Sequence, residues 1–238
     1  MATATLFEQK VRQKAHLKAN PASREELAAL IATHTTTLPG RATELAMVPG
    51  QIIGLEGVVG AGLTRLALVM LSEIARRAPV AVVDTRGWFC PVAAWEVGIP
   101  PARLSVIRCS DADQWPSVLG ALLTGLGGIY AEVPSGIPDQ VLRRLGAKAR
   151  QERAAVALRP MSGRLPAGIA HMRLTAETVL WSGPDQGHGR LIGRSLSVHA
   201  SGKGVRGMER RFGVEDDGTS ALHLVGNLGA VTSGRAVG

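Results

Sequence analysis

Gly57-Val58-Val59-Gly60-Ala61-Gly62-Leu63-Thr64 lies between two apolar runs, Gln51-Ile52-Ile53-Gly54-Leu55-Glu56 and Leu66–Leu71. Its spacing is that of a phosphate-binding loop, G-x-x-x-x-G-K-[ST], with both outer glycines and the hydroxyl in register. Leucine replaces the lysine. The setting is the required one, a strand at Gln51–Glu56 leading into a helix from about Thr64 to Arg77. In such a loop the backbone N–H groups, a helix N-terminus and a lysine hold the anion together. Only the backbone part survives here. Leu63 cannot donate to a triphosphate, and its side chain is expected where the anionic oxygens would lie. Loss of one charge-assisted hydrogen bond, with phosphate desolvated against leucine, should weaken binding on the order of tenfold to several hundredfold.

Outward from the loop, short apolar runs alternate with helical stretches. Strands are predicted at Val80–Asp84, 104–108, Gly128–Val133 and Ala155–Arg159. Helices are predicted at 91–97, 115–125 and Asp139–Ala154. This alternation argues for an α/β fold, a mostly parallel sheet flanked by helices. The last third changes character. Met172–Trp181 and Arg190–Ala200 read as two longer strands around Gly183-Pro184-Asp185-Gln186-Gly187, an antiparallel hairpin. Arg210–Val214 is expected as an edge strand. From Asp216 the chain is rich in Gly, Ser and Ala, and 216–238 is expected as a flexible tail with only Ala221–Val225 apolar enough to dock. At the other end, residues 5–33 read as two helices broken near Asn20-Pro21, with Ser23 and Glu26 as a capping box. They form an arm and linker over 1–40, leaving 41–215 as the core.

The chain has 238 residues and a net charge of +8, with only one Tyr and three Phe. That charge suits a nucleic acid, an anionic surface or an acidic protein without choosing among them. Cys90 and Cys109 form no CxxC pair, so zinc ribbons and redox pairs are not expected. The six histidines are scattered, and none stands at i, i+4 from another ligand type, so no metal is assigned. No recognisable nucleophile motif joins Ser, Cys and His. MATATLFEQKVRQK has charges but no apolar core, and Leu66–Leu71 is far too short to cross a bilayer, so a cytoplasmic location without membrane contact is expected.

Two further positions bear on chemistry. The strand beside the loop ends Val82-Val83-Asp84-Thr85-Arg86, where a catalytic carboxylate commonly follows in ATPases of this architecture. Asp84 supplies a carboxylate, but Arg86 stands two residues on. A metal-supporting carboxylate usually ends another central strand, and the candidate is Glu132. With Gly57, Gly60, Gly62, Leu63 and Thr64, these residues form a degenerate site with no catalytic residue and no cofactor expected. Arg86 still adds positive charge, and Thr64 retains a metal-binding hydroxyl, so nucleotide binding without hydrolysis stays open.

The stretch from Gln51 through Leu71 resembles the RecA core, from its first central strand through the loop helix. Val82–Arg86 resembles the strand that carries RecA's catalytic glutamate, with arginine at that place, and Met172-Arg173-Leu174 and Ser195–Gly204 resemble its C-terminal strands. The chain is similar to the RecA-like ImuA family, most of all its actinobacterial ImuA-prime type. The resemblance implies a P-loop ATPase type of fold that has lost hydrolysis. It also implies an accessory protein of a DNA-damage-induced mutasome, nucleoid-associated under damage. The implied partners are an ImuB-like Y-family polymerase homologue and, indirectly, an error-prone C-family DNA polymerase. SulA-type division inhibitors share the spoiled loop and give an alternative. A residual ATPase and a DNA-binding RecA paralogue are the others. The segments matching RecA's DNA loops are the very short Pro134–Pro138 and Pro160–Ala170, which offers Arg164 and little else.

Three surfaces are candidates for partners. Arg143, Arg144, Lys148, Arg150 and Arg153 lie on one basic helix with Val141, Leu142 and Leu145 as its apolar side, suited to DNA phosphates or an acidic protein. Leu222, Leu224 and Val225 are expected to add a strand to a partner's sheet edge. The N-terminal arm is expected either to pack on its own core or, as the RecA resemblance implies, to reach a neighbouring subunit. Trp88-Phe89-Cys90-Pro91 reads as packing rather than a ligand box.

Overall fold

The structure is a computed structural model that describes residues 45–58, 60–183, 192–205, 210–216 and 223–227. The predicted arm at 1–40, Leu222 and most of the predicted hairpin turn lie outside the described residues.

The parallel part comprises β1 (Ile52–Glu56), β2 (Val80–Asp84), β3 (Leu104–Arg108), β4 (Gly128–Val133), β5 (Ala155–Pro160) and the start of β6 (Met172–Ser182). Four helices connect them: α1 (Leu63–Ala75), α2 (Val92–Glu96), α3 (Trp115–Leu122) and α4 (Asp139–Glu152). Three antiparallel strands follow, β7 (Gly193–Gly202), β8 (Arg210–Asp216) and β9 (His223–Asn227). All nine strands form one sheet in the order β3-β2-β4-β5-β1-β6-β7-β8-β9. The fold is therefore α/β, a mostly parallel sheet flanked by helices with C-terminal antiparallel strands.

The sequence explains the division of labour. VAVVD and GIYAEV have no polar face because both sides of β2 and β4 are covered, and every residue of both strands is buried. Ile53, Leu55, Val80, Val82, Tyr130, Ala155 and Ala157 face one core with α1. Ile52, Val83, Ile129, Ala131, Val156 and Leu158 face a second core with α3 and α4. In β7 burial alternates at Leu196, Val198 and Ala200, as a strand covered on one face requires. β3 closes one edge and is half-exposed.

One expectation needs correction. β8 is not an edge strand, because β7 and β9 flank it. The segment after Asp216 docks in part, near the expected Ala221–Val225. Its backbone groups at His223–Asn227 pair with β8 of the same chain, with Leu224 opposite Val214 and Val225 opposite Gly213. Backbone pairing needs no continuous apolar run, so a Gly- and Ser-rich tail still supplies a short strand.

Only four charged side chains are buried among the described residues: Glu56, Asp84, Glu132 and Arg159. Each is the last or next-to-last residue of a parallel strand. The carboxyl ends of parallel strands are where α/β sheets build their sites, and this edge holds all of the buried charge.

Candidate functional site

The loop leaves β1 through Gly57, at φ 148°, and enters α1 through Gly62, at φ 79°. A side chain at Gly57 would meet the Ala176 methyl of β6 at 2.8 Å, so the close approach itself demands glycine. Gly62 caps α1 in the left-handed conformation, no side chain caps the helix, and its first turn holds no acidic residue. The first N–H groups of the helix and its positive end are thus left for an anion.

Leu63 departs from expectation. It is fully buried in the core with Leu66, Leu68 and Leu71 and does not line the cavity over the loop. An apolar first helical residue gains by turning inward, so the leucine is withdrawn from the phosphate position rather than plugging it.

Thr64 is engaged by a residue that sequence reading did not single out. Arg159, at the end of β5, donates from its guanidinium to Thr64 Oγ1 at 2.7 Å. Thr64 Oγ1 also shares a hydrogen bond of 3.1 Å with the Tyr130 hydroxyl. Burial pushes the Tyr130 phenol above its ordinary value, against the opposing influence of Thr64 and Arg159 beside it.

The two predicted carboxylates are engaged as well. Glu132 accepts from the backbone N–H of Thr85 and Arg86 at 3.2 and 3.3 Å and from Arg86 Nε at 3.1 Å, and it pairs with the tip of the same guanidinium. This hydrogen bonding, with the charge of Glu132, holds Arg86 above its ordinary value. Asp84 accepts from the backbone N–H of Gly87, Trp88 and Phe89 at 2.9, 3.3 and 3.0 Å. It builds the turn after β2, and a carboxylate holding three N–H groups is poorly placed to accept a substrate proton.

Above the loop lies a cavity of about 310 Å³ lined by Gly60, Gly62, Thr64 and four arginines, Arg65, Arg86, Arg159 and Arg194. Arg65 pairs with Glu96 of α2 at 3.6 Å. Arg194 reaches over from β7, its guanidinium so close to Gly62 that a Cβ there would lie 2.0 Å from it. A Mg²⁺–nucleotide of the kind such loops serve does not fit these residues. The threonine hydroxyl is bonded to a cation, and the metal-side carboxylate is bonded to another.

The remaining candidates are dispersed. Of the basic helix, Arg150 and Arg153 line a separate groove of about 1100 Å³ with Arg164, His171, Arg173 and Lys203. Arg143 donates to the Ala167 carbonyl at 3.3 Å, while Arg144 and Lys148 stand away from that groove. Leu142, Leu145 and Ala149 bury the apolar side of α4. Arg164 is 73% exposed, and its Nε donates to Glu56 at 2.8 Å. Trp88 is 73% exposed and stacks on Arg86 at 4.9 Å, so it packs on the site's rim rather than in the core. Cys90 is exposed and Cys109 buried, and they are not bonded.

Arg65, Tyr130, Arg159 and Arg194 were missed. Arg159 left one signal, an arginine ending an otherwise wholly apolar strand in an α/β alternation. Among the described residues no group of His, Cys, Asp and Glu has the makings of a metal site, and no helix is long and apolar enough to cross a membrane.

Comparison with curated proteins returns no match. A family model described as the MT3502 N-terminal domain matches residues 45–163. That span is half of the chain and carries the loop, Arg86, Glu132 and Arg159, and the chain belongs to this family.

Proposed function

We propose that the protein is a non-catalytic, RecA-like accessory factor of a DNA-damage-induced mutasome that binds an ImuB-like partner in support of error-prone translesion synthesis. One observation carries the non-catalytic part. Every position where a nucleotide hydrolase keeps its lysine, metal hydroxyl, metal carboxylate or base is here buried or bonded to the protein itself: Leu63 in the core, Thr64 to Arg159, Glu132 to Arg86, and at the base's place Arg86 itself, beside an Asp84 held by backbone. Phosphoryl transfer needs positioned charge neutralisation and a positioned nucleophile together. The strand–glycine loop–helix unit at the centre of a mostly parallel sheet supports a P-loop ancestry of the RecA type.

The interaction part rests on the resemblance and on the surface. Trp88 and Trp181 are 73% and 53% exposed, and each stacks on an arginine of the cavity, Arg86 at 4.9 Å and Arg194 at 5.4 Å. Exposed Trp and Arg together are the composition of protein interfaces rather than of bare surface. Pull-down of the full chain from DNA-damaged cells, read by mass spectrometry, tests the reading. Co-purification of an ImuB-like protein, lost in a Trp88→Ala/Trp181→Ala double variant, is expected. Recovery of a division protein instead, or steady Mg-ATP turnover by the purified chain, would overturn it.

A further inference from the structure

Arg159 is 7% exposed, yet no carboxylate pairs with it among the described residues. Its contacts are the Thr64 and Tyr130 hydroxyls. Glu132 stands opposite it in the β4–β5 register, but the carboxylate oxygens of Glu132 go to Arg86 and to two backbone amides. A guanidinium cannot shed its proton to escape burial, and a buried charge without a counter-ion is strongly unfavourable. Among the described residues Arg159 has hydroxyl partners but no counter-ion.

Arg159 faces a cavity into which Arg65 (paired with Glu96), Arg86 (paired with Glu132) and Arg194 also point, and among the described residues no Asp or Glu lines it. The start of α1, uncapped and without acidic residues, opens there too. We propose that this cavity is a metal-independent binding site for a phosphate-type oxyanion, with Arg159 as its central ligand. A tetrahedral oxyanion accepts from several guanidinium groups at once, in charge-assisted hydrogen bonds. The cation it needs is already built in, because Arg159 holds the hydroxyl that a divalent ion would require. About 310 Å³ accommodates phosphate or pyrophosphate and lies at the low end for a whole small-molecule ligand, so a nucleotide would seat only its terminal phosphates. The inference does not depend on which protein the chain binds.

The test is calorimetry on the full chain with inorganic phosphate, pyrophosphate and ADP, each in EDTA and again in Mg²⁺, against chloride of matched ionic strength. Saturable binding of pyrophosphate, unchanged by EDTA, is expected. Equal affinity for pyrophosphate and ADP would identify free oxyanion as the ligand, and tighter ADP a nucleotide. Arg159→Gln should weaken binding about tenfold or more. It should also unfold no earlier than the parent in anion-free buffer, since it removes an unmatched buried charge. Arg65→Gln, which removes a less buried guanidinium, reads the same loss should Arg159→Gln not fold. No binding above chloride, a requirement for Mg²⁺, or affinity that survives these substitutions would overturn the proposal.

Discussion

Two charge clusters sit at the same edge of the same sheet, on opposite faces, and they are built on opposite principles. On the face covered by α3 and α4, Glu56 takes a hydrogen bond from Arg164 at 2.8 Å, another from the Leu165 backbone at 3.3 Å, and pairs with Arg173. The buried ion is a carboxylate, and its donors come from the crossover after β5 and from Arg173 at the start of β6. That cluster is closed in charge, its carboxylate matched by the fold's own donors although Arg164 and Arg173 line the larger groove, and it holds the crossover against Gly54, where a Cβ would lie 3.0 Å from Leu165. On the α1 face the buried ion left over is a cation, Arg159, and its hydrogen-bond partners are hydroxyls. A closed cluster organises structure. Both clusters border a cavity, and the one left open in charge, with a buried cation and no carboxylate among the described residues, marks a site.

The largest effect should come from opening the closed cluster. Glu56→Ala leaves Arg173, only 18% exposed, without its carboxylate and releases the Leu165 amide. Removing one partner of a buried ion pair costs about 3–5 kcal/mol, measurable by urea denaturation. Arg164→Ala should cost less than about 1 kcal/mol, since that side chain is 73% exposed. Neither substitution should alter oxyanion affinity, because both lie on the opposite face of the sheet. A Glu56→Ala protein as stable as its parent would erase the distinction between the two clusters.

Next in size is Leu63→Lys, which restores the loop's missing cation by sequence. Leu63 is fully buried among Leu66, Leu68 and Leu71, so an ammonium there lacks both water and a partner. A loss on the order of 3 kcal/mol or more is expected. No ATP turnover should appear, because Arg86 and Arg159 still hold Glu132 and Thr64. A stable Leu63→Lys protein with measurable hydrolysis would show that position 63 opens into the cavity after all.

Much of the sheet was legible because fully covered strands write themselves as unbroken Val, Ala and Ile runs, and the loop because its glycines answer to φ values and close approaches. The five parallel strands from β1 to β5 and the antiparallel β6–β7 pair are legible within a few residues. What stayed illegible was long-range. Nothing in Leu63-Thr64 tells that the leucine turns inward, since either orientation suits a helix's first turn. Nothing near Arg159 names Thr64, 95 residues away. Arg86 and Glu132 were each flagged as altered, but their mutual pairing is a property of β2 and β4 lying side by side. The basic helix is dispersed for a related reason. Charges clustered in sequence diverge around an axis, and only Arg150 and Arg153 reach the larger groove.

The smallest effect is also the most local probe of the open cluster. Tyr130 is the only tyrosine in the chain, so phenolate absorbance in the ultraviolet reports it alone. It is 1% exposed, and burial raises its pKa above the ordinary 10.0, while Thr64 and Arg159 pull the other way. In the unfolded chain the phenol ionises near 10.0, whereas in the folded chain it does so later. Above that pH the unfolded state has lost a proton that the native state keeps, so stability is intact below 10.0 and falls as pH rises through the folded value. The native titration midpoint should therefore exceed that in urea. Arg159 stabilises the phenolate, so Arg159→Gln should move the native midpoint further up. An oxyanion bound against Arg159 should do the same by offsetting its charge. A midpoint that drops in Arg159→Gln would place that guanidinium away from the phenol and dismantle the open cluster.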